Sequence, residues 1–299
     1  MTPDPVQPAP SWPPTRPAVG WQEVTLMRPS ADAFLRAPNG GHPPGAGEAI
    51  FSGLDSALLR FVAEMYAVQL DQLAALLADW GEEGDESSGN VRRRVSRWRA
   101  AGYVETGQLS AGEPWIWGTR KGLDAFGIRV KLAKPSPRLL RHAHAVTELR
   151  LALQRTTALR EGGAWWRGER SILAGQGYLP GVHPPDGEVH WPAGTASPWT
   201  GETWAVEVEI SPKSVSRTVA IMQETLTQVG NYGEPGGSVN VPGLQPRYAR
   251  LVYVCSAGAV RTVLSARAEV GSHLSTRIDV HDLPVPAHRQ NALKRGWQA

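Results

Sequence analysis

The chain has almost no cysteine. Among its 299 residues only Cys255 carries a thiol, so no disulfide forms within the chain and no set of thiolates can cage zinc. A reducing compartment, the cytoplasm, is the default expectation. Long apolar runs are missing as well. Nothing approaches the roughly 20 residues that cross a bilayer, and the first residues lack the basic-then-apolar order of a secretory leader. No Gly-rich phosphate loop of the Walker type occurs, and no Gly-x-Ser-x-Gly turn, which removes the signatures of P-loop nucleotide hydrolysis and of the nucleophile elbow. His142 and His144 stand two apart on a helical stretch and diverge, so they make no zinc pair. His183, His190 and Cys255 show no ligand spacing either.

What is present suffices for about two domains of ordinary size. The hydrophobic share is 41%, enough for real cores, and the net charge of +3 is only mildly basic. Its distribution says more than its sum. Residues 1–48 are Pro-rich and read as a mostly disordered tail. Residues 49–132 read as three helices (54–67, 69–79 and 87–101) followed by two short strands (103–105 and 114–118), the order of a winged helix-turn-helix. In the third helix Val91, Val95 and Trp98 recur at i, i+4 and i+7 and turn inward. Arg92, Arg93, Arg97 and Arg99 cover the remaining surface and, with Arg120 and Lys121 in the turn after the second strand, can reach phosphates or base edges of double-stranded DNA. The plain alternative is a solvated basic face.

A Pro-containing linker at 133–137 leads into a second pattern over 138–285. It reads as a helix (138–159), strands at 165–173, 187–191 and 203–210, a helix (213–229), a strand (250–255), a helix (257–270) and a strand (276–281), before a tail at 286–299. In the strand Trp204-Ala205-Val206-Glu207-Val208-Glu209-Ile210, side chains alternate between faces. Glu207 and Glu209 therefore share one face while Val206, Val208 and Ile210 share the other. Pro185-Asp186-Gly187 ends the preceding turn, where Asp186 can reach the same place. Like carboxylates held this close favour a shared cation or proton, and converging oxygen ligands suit a hard divalent ion. Asp186 in such a turn is also ordinary turn chemistry, and Glu169-Arg170 is either support for this site or a surface ion pair.

That order, with acids at the second and third strands, resembles the PD-(D/E)xK nuclease superfamily. The implied fold class is α+β to α/β: an N-terminal winged helix-turn-helix followed by a restriction-endonuclease-like αβββαβ domain. Asp186 matches the first acid and Glu207 the second, whereas Glu209 stands where the family usually has lysine. The resemblance implies Mg2+, or Mn2+, held by Asp186 and Glu207 with Glu148 in support, and Glu209 or Lys213 to orient or deprotonate water. From about residue 50 to 283 the chain also resembles the actinobacterial replication-relaxation family. The carriers are Thr119-Arg120-Lys121-Gly122, the helix from Arg141-His142-Ala143-His144 to Glu148, Pro185-Asp186-Gly187, and Val206-Glu207-Val208-Glu209. That implies a DNA-binding protein of plasmid or mobile-element replication or transfer. Two readings stand open: a metal-dependent endonuclease (a nickase), or a non-catalytic winged-helix accessory or regulator. A protein-interaction module is a more distant third. A homodimer and partnership with replication or conjugation proteins are compatible with each, and a membrane is not among the expected partners.

Overall fold

Helix α1 (Gly53–Glu64) starts on a reciprocal cap. The Ser52 hydroxyl accepts from the Asp55 N–H at 3.1 Å, and the Asp55 carboxylate accepts from the Ser52 N–H at 3.2 Å, which satisfies donors that a helix end leaves open. The computed structural model describes residues 51–80, 88–110, 112–132, 134–156, 163–175, 183–193, 199–228 and 246–283. The tails at 1–48 and 286–299, and residue 87 at the start of the third expected helix, lie outside these residues.

Strand β1 (Val68–Gln69) leads straight into α2 (Leu70–Trp80), and α3 (Ser88–Ala100) follows. Helix α3 ends on Gly102, whose φ of 78° only glycine adopts freely. There the Tyr103 N–H donates to Trp98 O and the Gly102 N–H to Arg99 O, both at 2.9 Å, the paired closure of a Schellman end. Strands β2 (Val104–Gly107) and β3 (Trp115–Gly118) form an antiparallel hairpin, and β1 adds on the other side of β3. A short helix α4 (Arg120–Asp124) follows. Three helices with a three-stranded sheet of order β1-β3-β2 make up the first half. Strand β1 is only 2 residues long, too short to leave an alternation in the sequence.

Helix α5 (Pro137–Gln154) opens the second half. The expected strand at 165–173 is shorter: β4 (Trp165–Gly168) stops where its pairing ends at Gly168 opposite Gly187, and helix α6 (Glu169–Ala174) starts there with Glu169 in its first turn. Strands β5 (Gly187–His190) and β6 (Thr203–Glu209), helix α7 (Val215–Thr227), β7 (Arg250–Cys255), helices α8 (Val260–Glu269) and α9 (Ser272–Ser275), and β8 (Ile278–Asp282) complete it. The sheet order is β4-β5-β6-β7-β8, with β4, β5 and β6 antiparallel and β6, β7 and β8 parallel. Apart from the short α6 inserted between β4 and β5, the run α5-β4-β5-β6-α7-β7 is the αβββαβ order.

Both faces of this sheet are covered, so the acidic face of β6 does not look into solvent. Val189, Val206, Val208 and Val252 pack with Leu149 of α5 and, through one continuous cluster, with Leu58, Phe61 and Leu73 of α1 and α2. Ala205, Leu251, Tyr253 and Cys255 pack on the other face with Met222 of α7 and Val263 of α8. Three indoles close one end of the sheet. Trp191, Trp199 and Trp204 lie with ring centroids 4.7, 5.1 and 5.1 Å apart.

The two halves are also joined by polar contacts. Arg150 is fully buried, pairs with Glu64 at 2.8 Å and lies over the Phe61 ring. Gln72 Nε2 donates to Glu148 at 2.8 Å and to His144 O at 3.1 Å. Arg155 meets Asp79 at 2.7 Å.

Candidate functional site

Register places Asp186 beside Glu207. Gly187 opposes Val206 in the antiparallel β5–β6 pair, so the residue before Gly187 faces the residue after Val206. The side chain confirms it, since Asp186 Oδ2 accepts from the Val208 N–H at 2.7 Å. Glycine is required next to it. A Cβ on Gly187 would fall 2.0 Å from the Trp166 indole, which lies across the strand and fixes the turn.

Two imidazoles complete the centre. His142 of α5 donates from Nε2 to Asp186 Oδ1 at 2.7 Å. His183 Nε2 lies 3.3 Å from Glu207 Oε1 and 3.5 Å from Oε2, and only Oε2 has hydrogen-bond geometry. Among the described residues Glu207 Oε1 is thus buried with no hydrogen-bond partner. Glu209 pairs with Lys213 at 2.6 Å. The histidine side chains keep 36% and 40% of their surface exposed while Glu207 keeps 4%, so the imidazoles form the accessible rim and the carboxylate the floor.

Burial pushes the Glu207 carboxyl up to about 7, and the neighbouring Asp186 charge adds to the rise, against His183 and Lys213. Burial alone would lower His142, but the charge and hydrogen bond of Asp186, with Glu207 and Glu169 behind them, raise it above the ordinary imidazole. His183 is raised first by its hydrogen bond with Glu207. Glu169, exposed at the start of α6, is raised first by desolvation and then by the Asp186 charge. The arrangement can hold and exchange protons near neutrality.

The structure does not bring Glu148 to this centre. His142 and Glu148 lie on one helix six positions apart, and at about 100° per residue they diverge by about 120°. Glu148 accordingly accepts from Gln72 and stands 3.8 Å from His144. A divalent ion was expected here, so the donor atoms decide whether one fits. Among the described residues no group of three or more His, Cys, Asp or Glu side chains is placed to hold a metal ion. Both Asp186 oxygens accept hydrogen bonds, and Lys213 occupies Glu209. As arranged, the side chains do not make a magnesium cage.

His142 and His183 were missed in the sequence because they were tested only for metal spacing. The signal that could have found them is position: His183 lies three residues before Asp186, and His142 sits in the helix that packs on β6.

The arginines expected to touch DNA divide by partner. Arg92, Arg93, Arg97 and Arg99 are exposed on α3 while Val91, Val95 and Trp98 are buried. Arg97 also bonds the buried Asp55 at 3.1 Å, beside Arg94 at 3.0 Å and the Trp98 indole N–H at 3.1 Å. Arg92 meets Glu113 at 3.3 Å at the surface, and Arg93 donates to Asn90. Arg120 donates to Val130 O at 2.6 Å, and Lys121 to Ala101 O at 3.0 Å. Arg97, Arg120 and Lys121 therefore also hold the fold. No helix among the described residues is long and apolar enough to cross a membrane.

The family described as replication-relaxation matches residues 59–224, more than half of the chain. No curated protein matches it significantly. Among solved structures, the restriction endonuclease FokI bound to DNA is similar over 76% of this chain and 42% of its own, at 10% identity and a TM-score of 0.24. The chain spans less than half the length of that structure.

Proposed function

The chain belongs to the replication-relaxation family, and from that premise we propose that it binds double-stranded DNA in plasmid or mobile-element replication or transfer, through the exposed arginine face of α3. The observation that carries this is the composition of that helix: five arginines, no acid, and an apolar stripe turned wholly inward. Such a face meets phosphates by displacing condensed counterions, so the affinity depends steeply on salt. Arg92, Arg93 and Arg99 supply most of the grip, because Arg97 is shared with Asp55.

Fluorescence anisotropy of a labelled duplex over a range of KCl concentrations tests the assignment. The double variant Arg92→Gln, Arg93→Gln should weaken binding at every sequence and reduce the slope of log K against log salt by roughly 0.9 for each phosphate no longer neutralised. Its melting temperature should stay at the wild-type value, since both side chains are exposed. Wild-type affinity and slope in the double variant would remove α3 as the DNA-binding element.

A second reading, phosphodiester cleavage with magnesium or manganese, requires Asp186 to release the hydrogen bonds it accepts here from His142 and Val208, and one feature favours it, the buried and unpartnered Glu207 Oε1. Supercoiled plasmid incubated with Mg2+ or Mn2+ against EDTA, beside Asp186→Ala, separates the two. Metal-dependent nicking lost in the variant would establish the nuclease, and intact plasmid with intact duplex binding would leave an accessory DNA-binding protein.

A further inference from the structure

The longest stretch of exposed positive charge is not on α3. Between Ala125 and Thr147 the chain carries Arg129, Lys131, Lys134, Arg138 and Arg141 and no aspartate or glutamate. All five cations are exposed. Among the described residues none of them pairs with a carboxylate, in contrast to Arg92, Arg94, Arg97 and Arg120, which meet Glu113, Asp55, Asp55 and Asp124.

The layout is ordered. In the extended piece after α4, Ile128 is buried and Val130 partly so, while Arg129 and Lys131 between and beyond them are exposed, so alternation sends the charges outward. Lys134 shares the lining of a cleft of about 440 Å³ with Arg99 at the end of α3 and with Thr106 and Gly107 of the wing. The strip thus meets the arginine face at Lys134. On α5, Arg138, Arg141 and His142 stand at i, i+3 and i+4 and share one face of the helix, and His142 holds Asp186 at 2.7 Å. From Arg129 to Lys134 an extended chain covers at most about 18 Å.

We propose that this strip is a second DNA-backbone track, which carries the phosphates of a duplex held on α3 past the wing and along α5 to the His142–Asp186 centre. It rests on the assignment of duplex DNA to α3 and extends it: the bound segment is longer than one recognition helix covers, and its far end lies at the acidic centre. Five cations that meet no carboxylate among the described residues, beside a face already basic, repel one another, whereas a polyanion passing both would be neutralised along its length.

The test uses the full chain, two duplexes and two variants. One duplex is about 12 base pairs, little more than one helical turn, and the other about 30. The strip variant carries Lys131→Gln, Lys134→Gln, Arg138→Gln and Arg141→Gln. The helix variant is Arg92→Gln, Arg93→Gln. The strip variant should bind the short duplex as wild type does, lose at least tenfold on the long one, and show a salt slope lower by about three to four on that duplex alone. The helix variant should lose affinity on both. If the strip variant equals wild type on the long duplex while the helix variant is weakened, the track is wrong and the assignment to α3 stands; that is also the result expected if the strip serves an acidic protein instead. If the helix variant is unaffected on both duplexes, the assignment to α3 fails, and with it the track. Unchanged melting temperatures of both variants separate these outcomes from misfolding.

Discussion

Carboxylates on one side of the second sheet titrate in opposite directions. Glu188 is fully buried and accepts from Arg247 Nη2 at 2.5 Å, His190 at 2.9 Å and the Tyr248 hydroxyl at 2.7 Å. Burial would raise its pKa, but the His190 hydrogen bond and the charges of Arg247, His190 and Arg167 bring it down to about 2. The stability it contributes is complete above the ordinary carboxylate value and lost as pH falls toward 2, so Glu188→Gln should flatten the acid limb of a urea-denaturation series by about 3 kcal/mol. Glu207 works the other way. With its pKa raised from 4.5 to about 7, the folded chain binds that proton more tightly than the unfolded one, and stability falls as pH rises through this window. Glu207→Gln should abolish that decline, and an unchanged slope between pH 5 and pH 7 would contradict the raised value. Asp55 is a third case. Holding two arginines and an indole from 2% exposure, it should cost about 3 kcal/mol in chemical denaturation when changed to alanine. Its pairing was invisible in the sequence, because nothing local connects position 55 to 94, 97 and 98. Asp186 and Glu207 were visible because strand alternation and a turn are local patterns.

At the scale of elements, α5 carries the most. Its His142 faces the acidic centre, His144 and Glu148 take Gln72 from α2, and Arg150 takes Glu64 from α1. The helix was legible from its apolar period, yet its low amphipathicity as a whole follows from having buried polar residues on several sides. Arg150→Met leaves Glu64 buried with Arg60 as a remaining partner at 3.1 Å, so the cost should lie near the lower end for a broken buried pair, about 3 kcal/mol. Amide exchange should rise in α1 as well as in α5. Faster exchange confined to α5 would mean that the contact is incidental. The misjudged strand at 165–173 has a similar lesson. Arg170, Ser171 and Ile172 are buried, as strand residues would be, and the turn into a helix at Gly168 is set by where β5 stops pairing.

For the whole molecule, the order of helices and strands was readable and the docking of the two halves was not. Contacts such as Gln72 with His144 and Glu64 with Arg150 span more than 70 positions, and no periodicity encodes them. The continuous cluster from Leu58 to Val252 ties the halves into one cooperative unit, so calorimetry should record a single unfolding transition. Two separated transitions would show that the halves fold independently despite their shared core.

The three indoles at the end of the sheet give the protein its own optical probe. Rings 4.7 to 5.1 Å apart at interplanar angles of 54° and 73° couple their electronic transitions, and coupled chromophores held at an angle rotate polarised light far more strongly than isolated ones. The far edge of the tryptophan absorption band should therefore carry a paired positive and negative dichroism signal that weakens in Trp199→Phe, where only the Trp191–Trp204 pair remains, and vanishes in the double variant Trp191→Phe, Trp199→Phe. Ordering at the mouth of β5 and β6 could then be followed in solution without any label.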